Sequence, residues 1–267
     1  MSFSPEWLAL REPADHASIN AAVRAALQAA LDPRPELKIV DLGCGAGSNL
    51  RGLAPALQAR QHWTLVDYDP RLLETARDRL AGFCPDRIAS VNYRQADFST
   101  GDFADLVAGA DLVTAAALFD LISVPVIDKF AAAVAANRQV FTTVLTYDGI
   151  AAWNPAHPAD NGMREAFNQH QLGDKGFGPA AGPGATAALA AAFARHGYRV
   201  IRGKSPWVLD RSYPGLRRDL DAGWAGAVRE TGLVPQTAID SWLAGRAADP
   251  DAVTIVGHED LLALPTP

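Results

Sequence analysis

Apolar residues follow two alternating rhythms along this chain, one of a helix face and one of a buried strand. Ile19, Val23, Leu27 and Leu31 stand four apart with alanines between them, which predicts a helix over 17–31. "DPRPE" ends that helix, and the β-branched run "LKIVDLG" between prolines and glycines predicts a buried strand ending near Leu42. The alternation continues with a helix over 48–60, a strand in "HWTLVDYD", and a helix over 70–80 with proline in its first turn. "IASVNYRQAD" and "ADLVTAAALFD" predict the third and fourth strands, then a helix over 124–136 precedes a fifth strand in "RQVFTTVLTYD". Strands separated by helices of this length require right-handed crossovers and a parallel sheet.

Beyond Asp148 the texture changes. Residues 149–184 hold Pro155, Pro158, Pro179 and Pro183 among several glycines, too long and broken for a simple connection, so the segment is expected to be an insertion that folds over a ligand. A helix over 185–196, a sixth strand in "YRVIRGKSPWVL", a helical stretch over 217–247 and a last strand in "AVTIVGHEDLLALP" complete the chain. The apolar set Leu220, Trp224, Val228, Leu233, Ile239 and Trp242 in that stretch fits either packing on the sheet or pairing with another subunit. Trp153, Trp207 and His258 read as structural. With no repeat and no clean linker, residues 1–267 are expected to form one domain.

The 267 residues are 49% hydrophobic and 20% charged with a formal net charge of -6, which describes an ordinary globular protein. Basic residues are scattered, so no nucleic-acid partner is expected. The apolar stretch 106–127 is interrupted by Asp111 and Asp120, which argues against a membrane span, and the acidic start "MSFSPEWLALREPAD" does not read as a secretion signal. Cys44 and Cys84 lack the spacing of a zinc site or a disulfide framework, so no metal is expected and a cytoplasmic location is.

Between the first strand and the next helix stands "IVDLGCGAGSNL", with Gly43, Gly45 and Gly47 at every second position. Glycines there let backbone approach a ligand where a side chain would collide. A dinucleotide loop would place its third glycine at position 48, which is Ser48, so a nicotinamide oxidoreductase is disfavoured. Asp41 would repel a pyrophosphate but welcome a cation, such as the sulfonium and ammonium of S-adenosylmethionine. Asp67 closes the second strand, where an acid can accept both ribose hydroxyls.

In order, "VDLGCGAGSNL", "LVDYDP", "RQADF" and "ADLVTAAALFDLIS" resemble the cofactor motifs of the class I S-adenosylmethionine-dependent methyltransferases of small-molecule type, over about residues 37–148. The resemblance implies a doubly wound α/β fold: a seven-stranded, mainly parallel sheet, last strand antiparallel, with helices on both faces. It implies S-adenosylmethionine as cofactor and S-adenosylhomocysteine as product. Gly43, Gly45 and Gly47 would line the methionyl part, Asn49 would also touch the cofactor, Asp67 would bind the ribose, and Tyr68 and Phe98 would flank the adenine whose amino group Asp97 accepts. Asp41 and the backbone near Ala115 would face the ammonium. "WLALREPADH" resembles the N-terminal lid of such enzymes, so 1–31 is expected to be a lid region, with Arg11 pairing with the cofactor carboxylate.

Methyl transfer asks mainly for an in-line acceptor and exclusion of water. The acceptor is expected to be a small molecule, met by Phe119, Tyr147, Asn168, His170, Lys175 and Phe177. His170 is the favoured proton acceptor and Asp120 its alternative. A binding protein that holds the nucleoside without transferring methyl is the competing reading, and either a monomer or a homodimer fits.

Overall fold

The computed structural model of the protein describes residues 3–83 and 85–266. Cys84 lies outside the described residues, and Cys44 is a buried free thiol. The strands are β1 (Glu36–Leu42), β2 (Arg60–Asp67), β3 (Ile88–Gln95), β4 (Leu112–Ala116), β5 (Val140–Asn154), β6 (Tyr198–Lys204), β7 (Trp207–Leu209) and β8 (Val253–Pro265). The helices are α1 (Pro5–Ser18), α2 (Ala21–Leu31), α3 (Ser48–Leu53), α4 (Pro70–Leu80), α5 (Ala104–Val107), α6 (Val124–Ala136), α7 (Asp160–Gln171), α8 (Ala185–Arg195), α9 (Pro214–Thr231) and α10 (Gln236–Ala248).

The main sheet runs in the order β3-β2-β1-β4-β5-β8-β6, parallel from β3 through β5 and antiparallel where β8 lies between β5 and β6. Among the described residues it has eight strands, not seven. The expected sixth strand is cut by Ser205 and Pro206: the Ser205 amide turns to the His258 carbonyl, proline offers no N–H, and β7 resumes pairing farther along β8.

Side chains on each strand alternate between two apolar layers. On β1, Leu37 and Ile39 pack with α2, α3 and α4, while Val40 and Leu42 join Phe130, Phe141 and Phe193 beneath α6 and α8. Because β1 is flanked by β2 on one side and β4 on the other, the chain reverses its winding there. The crevice beyond the carboxyl ends of these strands is where such sheets bind ligands.

Other boundaries differ from expectation for local reasons. The predicted 17–31 helix is two helices, because Asn20 caps the amides of Ala22 and Val23 and starts α2 afresh. The predicted 48–60 helix stops after α3 and a short 3-10 turn at Pro55. The predicted insertion 149–184 begins as a continuation of β5 to Asn154, holds α7, and is irregular mainly over 172–184. The stretch 217–247 is two helices broken around Gly232. Its apolar residues pack within this chain: Trp224 and Trp242 both meet the Trp153 ring edge-on, and only Leu233 of the set is exposed. No described helix is long and apolar enough to cross a membrane.

Candidate active site

The glycine loop makes a sharp turn that only glycine adopts freely. Gly43, Gly45 and Gly47 all have positive φ, at 64°, 52° and 79°. A Cβ on Gly45 would lie 3.2 Å from Leu8, and one on Gly43 would lie 3.1 Å from Leu118. The turn is tied to the second strand, since the Gly45 amide donates to Asp67 Oδ2 at 2.9 Å. Asp67 Oδ1 accepts from the Asp69 amide at 3.0 Å. Burial raises the Asp67 carboxyl above its ordinary range, opposed by those two amides.

Above this floor is a cavity with an empty volume of about 1180 Å³, its open mouth included. Helix α1 forms one wall and is fastened to the loop at several points. Arg51 grips Glu12 through two bonds of 2.6 and 2.7 Å and donates to the Ala46 carbonyl, and His16 Nε2 lies 3.0 Å from the Ser48 carbonyl. Burial opposes the Glu12 charge, but Arg51 prevails and holds that carboxyl below its usual range. Arg11 lines the cavity, bonds Asp15 at 2.9 Å through Nε, and lies 5.0 Å from the centre of the Trp207 ring. Its two terminal nitrogens have no hydrogen-bond partner among the described residues.

Asp41 does not reach the cavity; Asn49 stands between. The Asn49 amide nitrogen donates to Asp41 Oδ1 at 2.7 Å and to Thr114 Oγ1 at 3.1 Å, which leaves its carbonyl oxygen free to accept, and the residue lines the cavity. Asp41 Oδ2 is buried without a partner, and burial pushes this carboxyl up to about 7, with the Asp67 charge adding to the effect. The folded value exceeds the ordinary one, so the folded state holds a proton that the unfolded chain has lost, and this stabilisation disappears as pH rises from about 4 to about 7. The stability difference between the protein and Asp41→Asn is therefore expected to shift by about 2 kcal/mol against the wild type between pH 5 and pH 7.5. Urea denaturation of both proteins measures it, and a flat difference would refute the raised value.

At one end the cavity is walled by Tyr68, Leu72 and Phe98, with Phe177 packed at a tilt against Phe98 at 5.9 Å between ring centres. At the other it is bounded by Ala116, Ala117, Leu118, Leu121, Val144 and Leu145. Two of these are strained, with φ of 50° at Ala117 and 59° at Leu145. A β-bulge in β5 places Leu145, whose amide donates to the buried Asp260 at 2.9 Å.

Several expected site residues lie elsewhere. Gly47 is absent from the cavity wall and caps α3. Ala115 is buried in the sheet, and the neighbouring Ala116 and Ala117 take the cavity position. Asp97 is exposed, its carboxylate turned to the Ser99 amide, a bond that holds it below its usual range. Phe119 is fully buried among Phe130 and Phe141. The Tyr147 hydroxyl donates to Asn168, which donates to the Gly149 carbonyl, a strut between β5 and α7 away from the cavity. Asp120 is buried and absent from the cavity wall, and burial pushes it up to about 6. His170 lies on α7 bonded to Glu230, outside the cavity wall, whereas Lys175 and Phe177 reach that wall. The sequence reading missed Leu8, His16 and Leu72; the run Leu8, Arg11, Asp15 has helical spacing and signals a ligand-facing side of α1. Among the described residues no group of three or more histidines, cysteines or acids could hold a metal ion.

A sheet wound outward and back from β1, with a glycine turn and an acid at its switch point, is a Rossmann-like α/β fold. Residues 40–141, from β1 into β5, match the family described as a methyltransferase domain. No curated relative matches significantly. The fold is similar to the YcgJ protein from Bacillus subtilis, at 13% identity and a TM-score of 0.52 over 93% of this chain and 100% of that one. It is also similar to the cyclopropane synthase MmaA2 from Mycobacterium tuberculosis, at 13% identity and a TM-score of 0.50 over 98% and 94%. An S-adenosylmethionine-dependent methyltransferase from Geobacter sulfurreducens, in complex with S-adenosyl-L-homocysteine, is 18% identical with a TM-score of 0.47 over the full length of both chains.

Proposed function

We propose that this protein is a cytoplasmic methyltransferase that moves a methyl group from S-adenosylmethionine to a small-molecule acceptor by in-line displacement. The observation that carries this reading is the Asp67 carboxylate, tied to the Gly45 amide on the floor of a cavity whose other lining includes Asn49 and Arg11. These groups fit the cofactor: the carboxylate suits a ribose diol, the carbonyl backed by buried Asp41 suits an ammonium, and the free guanidinium nitrogens suit a carboxylate. Tyr68, Leu72 and Phe98 supply apolar surface for a base. When bound, the cofactor supplies an electrophilic methyl on a sulfonium.

The chain then has to hold an acceptor in line and keep water out. Ala117, Leu118, Leu121 and Leu145 offer it an apolar wall, and α1 with the 172–184 segment covers the cavity from two sides. His170 is engaged by Glu230 and lies off the cavity, so the reading assigns it no proton transfer. Positioning supplies the acceleration, and one domain, as a monomer or homodimer, suffices.

Calorimetric titration tests the reading. S-adenosylmethionine and S-adenosylhomocysteine are expected to bind with micromolar affinity, NAD not at all, and Gly45→Val, which forces a branched side chain into positive φ beside Leu8, is expected to lose both. Binding of NAD, or of no nucleoside, would sink the proposal. Tight nucleoside binding with no S-adenosylhomocysteine released across an acceptor panel would favour the silent binding protein instead.

A further inference from the structure

The two cationic side chains that line the cavity are in opposite electrostatic states. Arg11 is partly neutralised by Asp15 at 2.9 Å. Lys175 has no carboxylate partner among the described residues; its one recorded contact is the His170 ring nitrogen Nδ1, at 3.4 Å. The tautomer follows from the far side of that ring. Glu230 can only accept, so His170 Nε2, 3.0 Å from Glu230 Oε2, carries the proton. Nδ1 then presents a lone pair to the lysine ammonium. The chain Glu230–His170–Lys175 holds a full positive charge at the cavity wall without cancelling it.

An unpaired ammonium beside a mostly apolar pocket stands ready for an anion. Phe177, two residues on, packs on Phe98, which anchors this segment against the cavity. Resting on the methyltransferase reading, we infer that the methyl acceptor is an apolar molecule bearing a carboxylate or phosphate, that Lys175 binds this anionic group, and that His170 and Glu230 position Lys175. The class of reaction that supplies this substrate therefore leaves an ionised acid on a hydrophobic body.

The probes are benzoate, phenyl phosphate and benzamide, titrated into the protein saturated with S-adenosylhomocysteine. At least one anion is expected to bind about tenfold or more tightly than the neutral amide of similar shape. Lys175→Met is expected to bring that ratio close to one, Lys175→Arg to keep it, and both to leave S-adenosylhomocysteine affinity unchanged. Glu230→Ala is expected to lower the ratio about threefold and Glu230→Gln, which retains an accepting oxygen, to restore most of it. A purely structural role for these residues would not move the ratio. If S-adenosylhomocysteine binds yet the anions bind no better than benzamide, or the preference survives in Lys175→Met, the anionic-acceptor inference is overturned and the methyltransferase reading stands. If S-adenosylhomocysteine itself fails to bind the folded protein, both fall together.

Discussion

Asp67→Ala is expected to weaken S-adenosylhomocysteine binding by about two orders of magnitude while the protein stays folded. Both Asp67 oxygens already take a backbone amide, from Gly45 and Asp69, so the carboxylate is fixed in place before any ligand arrives. Its remaining lone pairs can accept two ribose hydroxyls, each bond to a charged acceptor contributing about 1.5 kcal/mol or more, which sums to roughly 3 kcal/mol. Removing the carboxylate also frees the Gly45 amide and loosens the glycine turn. Burial already penalises the Asp67 charge in the empty protein, so the fold itself loses little. Calorimetry and a thermal melt read the two effects separately. A variant that binds S-adenosylhomocysteine within threefold of wild type would remove Asp67 from the ribose site.

Asp260→Ala is expected to act on the fold instead, costing about 4 kcal/mol in urea denaturation. Asp260 is fully buried and gathers three donors from distant segments: the Asn20 amide at 2.7 Å, the Leu145 amide at 2.9 Å and the Ser205 hydroxyl at 2.6 Å. It thereby joins the start of α2, the bulge in β5 and the break between β6 and β7. Burial raises its carboxyl above the usual range, so relief of a buried charge offsets part of the loss. The net effect stays large because alanine would strand three donors, one of them on strained Leu145. A measured change below about 1 kcal/mol would show that water replaces the carboxylate.

Short-range rules carried most of the strands and the glycine turn. The β-branched runs, the glycine turn and Asp67 are local signals, and the parallel pairing of the first five strands follows from their alternation with helices. What escaped was set by packing and by individual hydrogen bonds. The start of α1 was legible as Ser4 capping the Trp7 amide ahead of Pro5, but Pro13, a helix breaker that stands inside the unbroken α1, masks its continuity in the sequence. Phe119 and Asp97 occupy plausible positions along the chain; the first turns into the aromatic core and the second bonds its neighbour Ser99, outcomes that depend on packing and on a local turn. His170 in a glycine-rich stretch suggested a loop base, whereas the helical spacing of Met163, Ala166 and Phe167 put it on α7, facing α9 rather than the cavity. Asn49 needed Asp41 and Thr114 beside it before its amide could be oriented.

Trp207 gives the protein an optical readout of its own. The indole is 3% exposed, donates from Nε1 to Asp15 at 3.1 Å, and carries the Arg11 guanidinium 5.0 Å above its ring. Any bound carboxylate that draws Arg11 toward the cavity changes the charge over the ring, and any departure of α1 exposes the indole to water. Either event alters tryptophan emission without a label. Five other tryptophans contribute to the spectrum, so the difference between wild type and Trp207→Phe isolates the signal and turns cofactor arrival into a stopped-flow fluorescence trace.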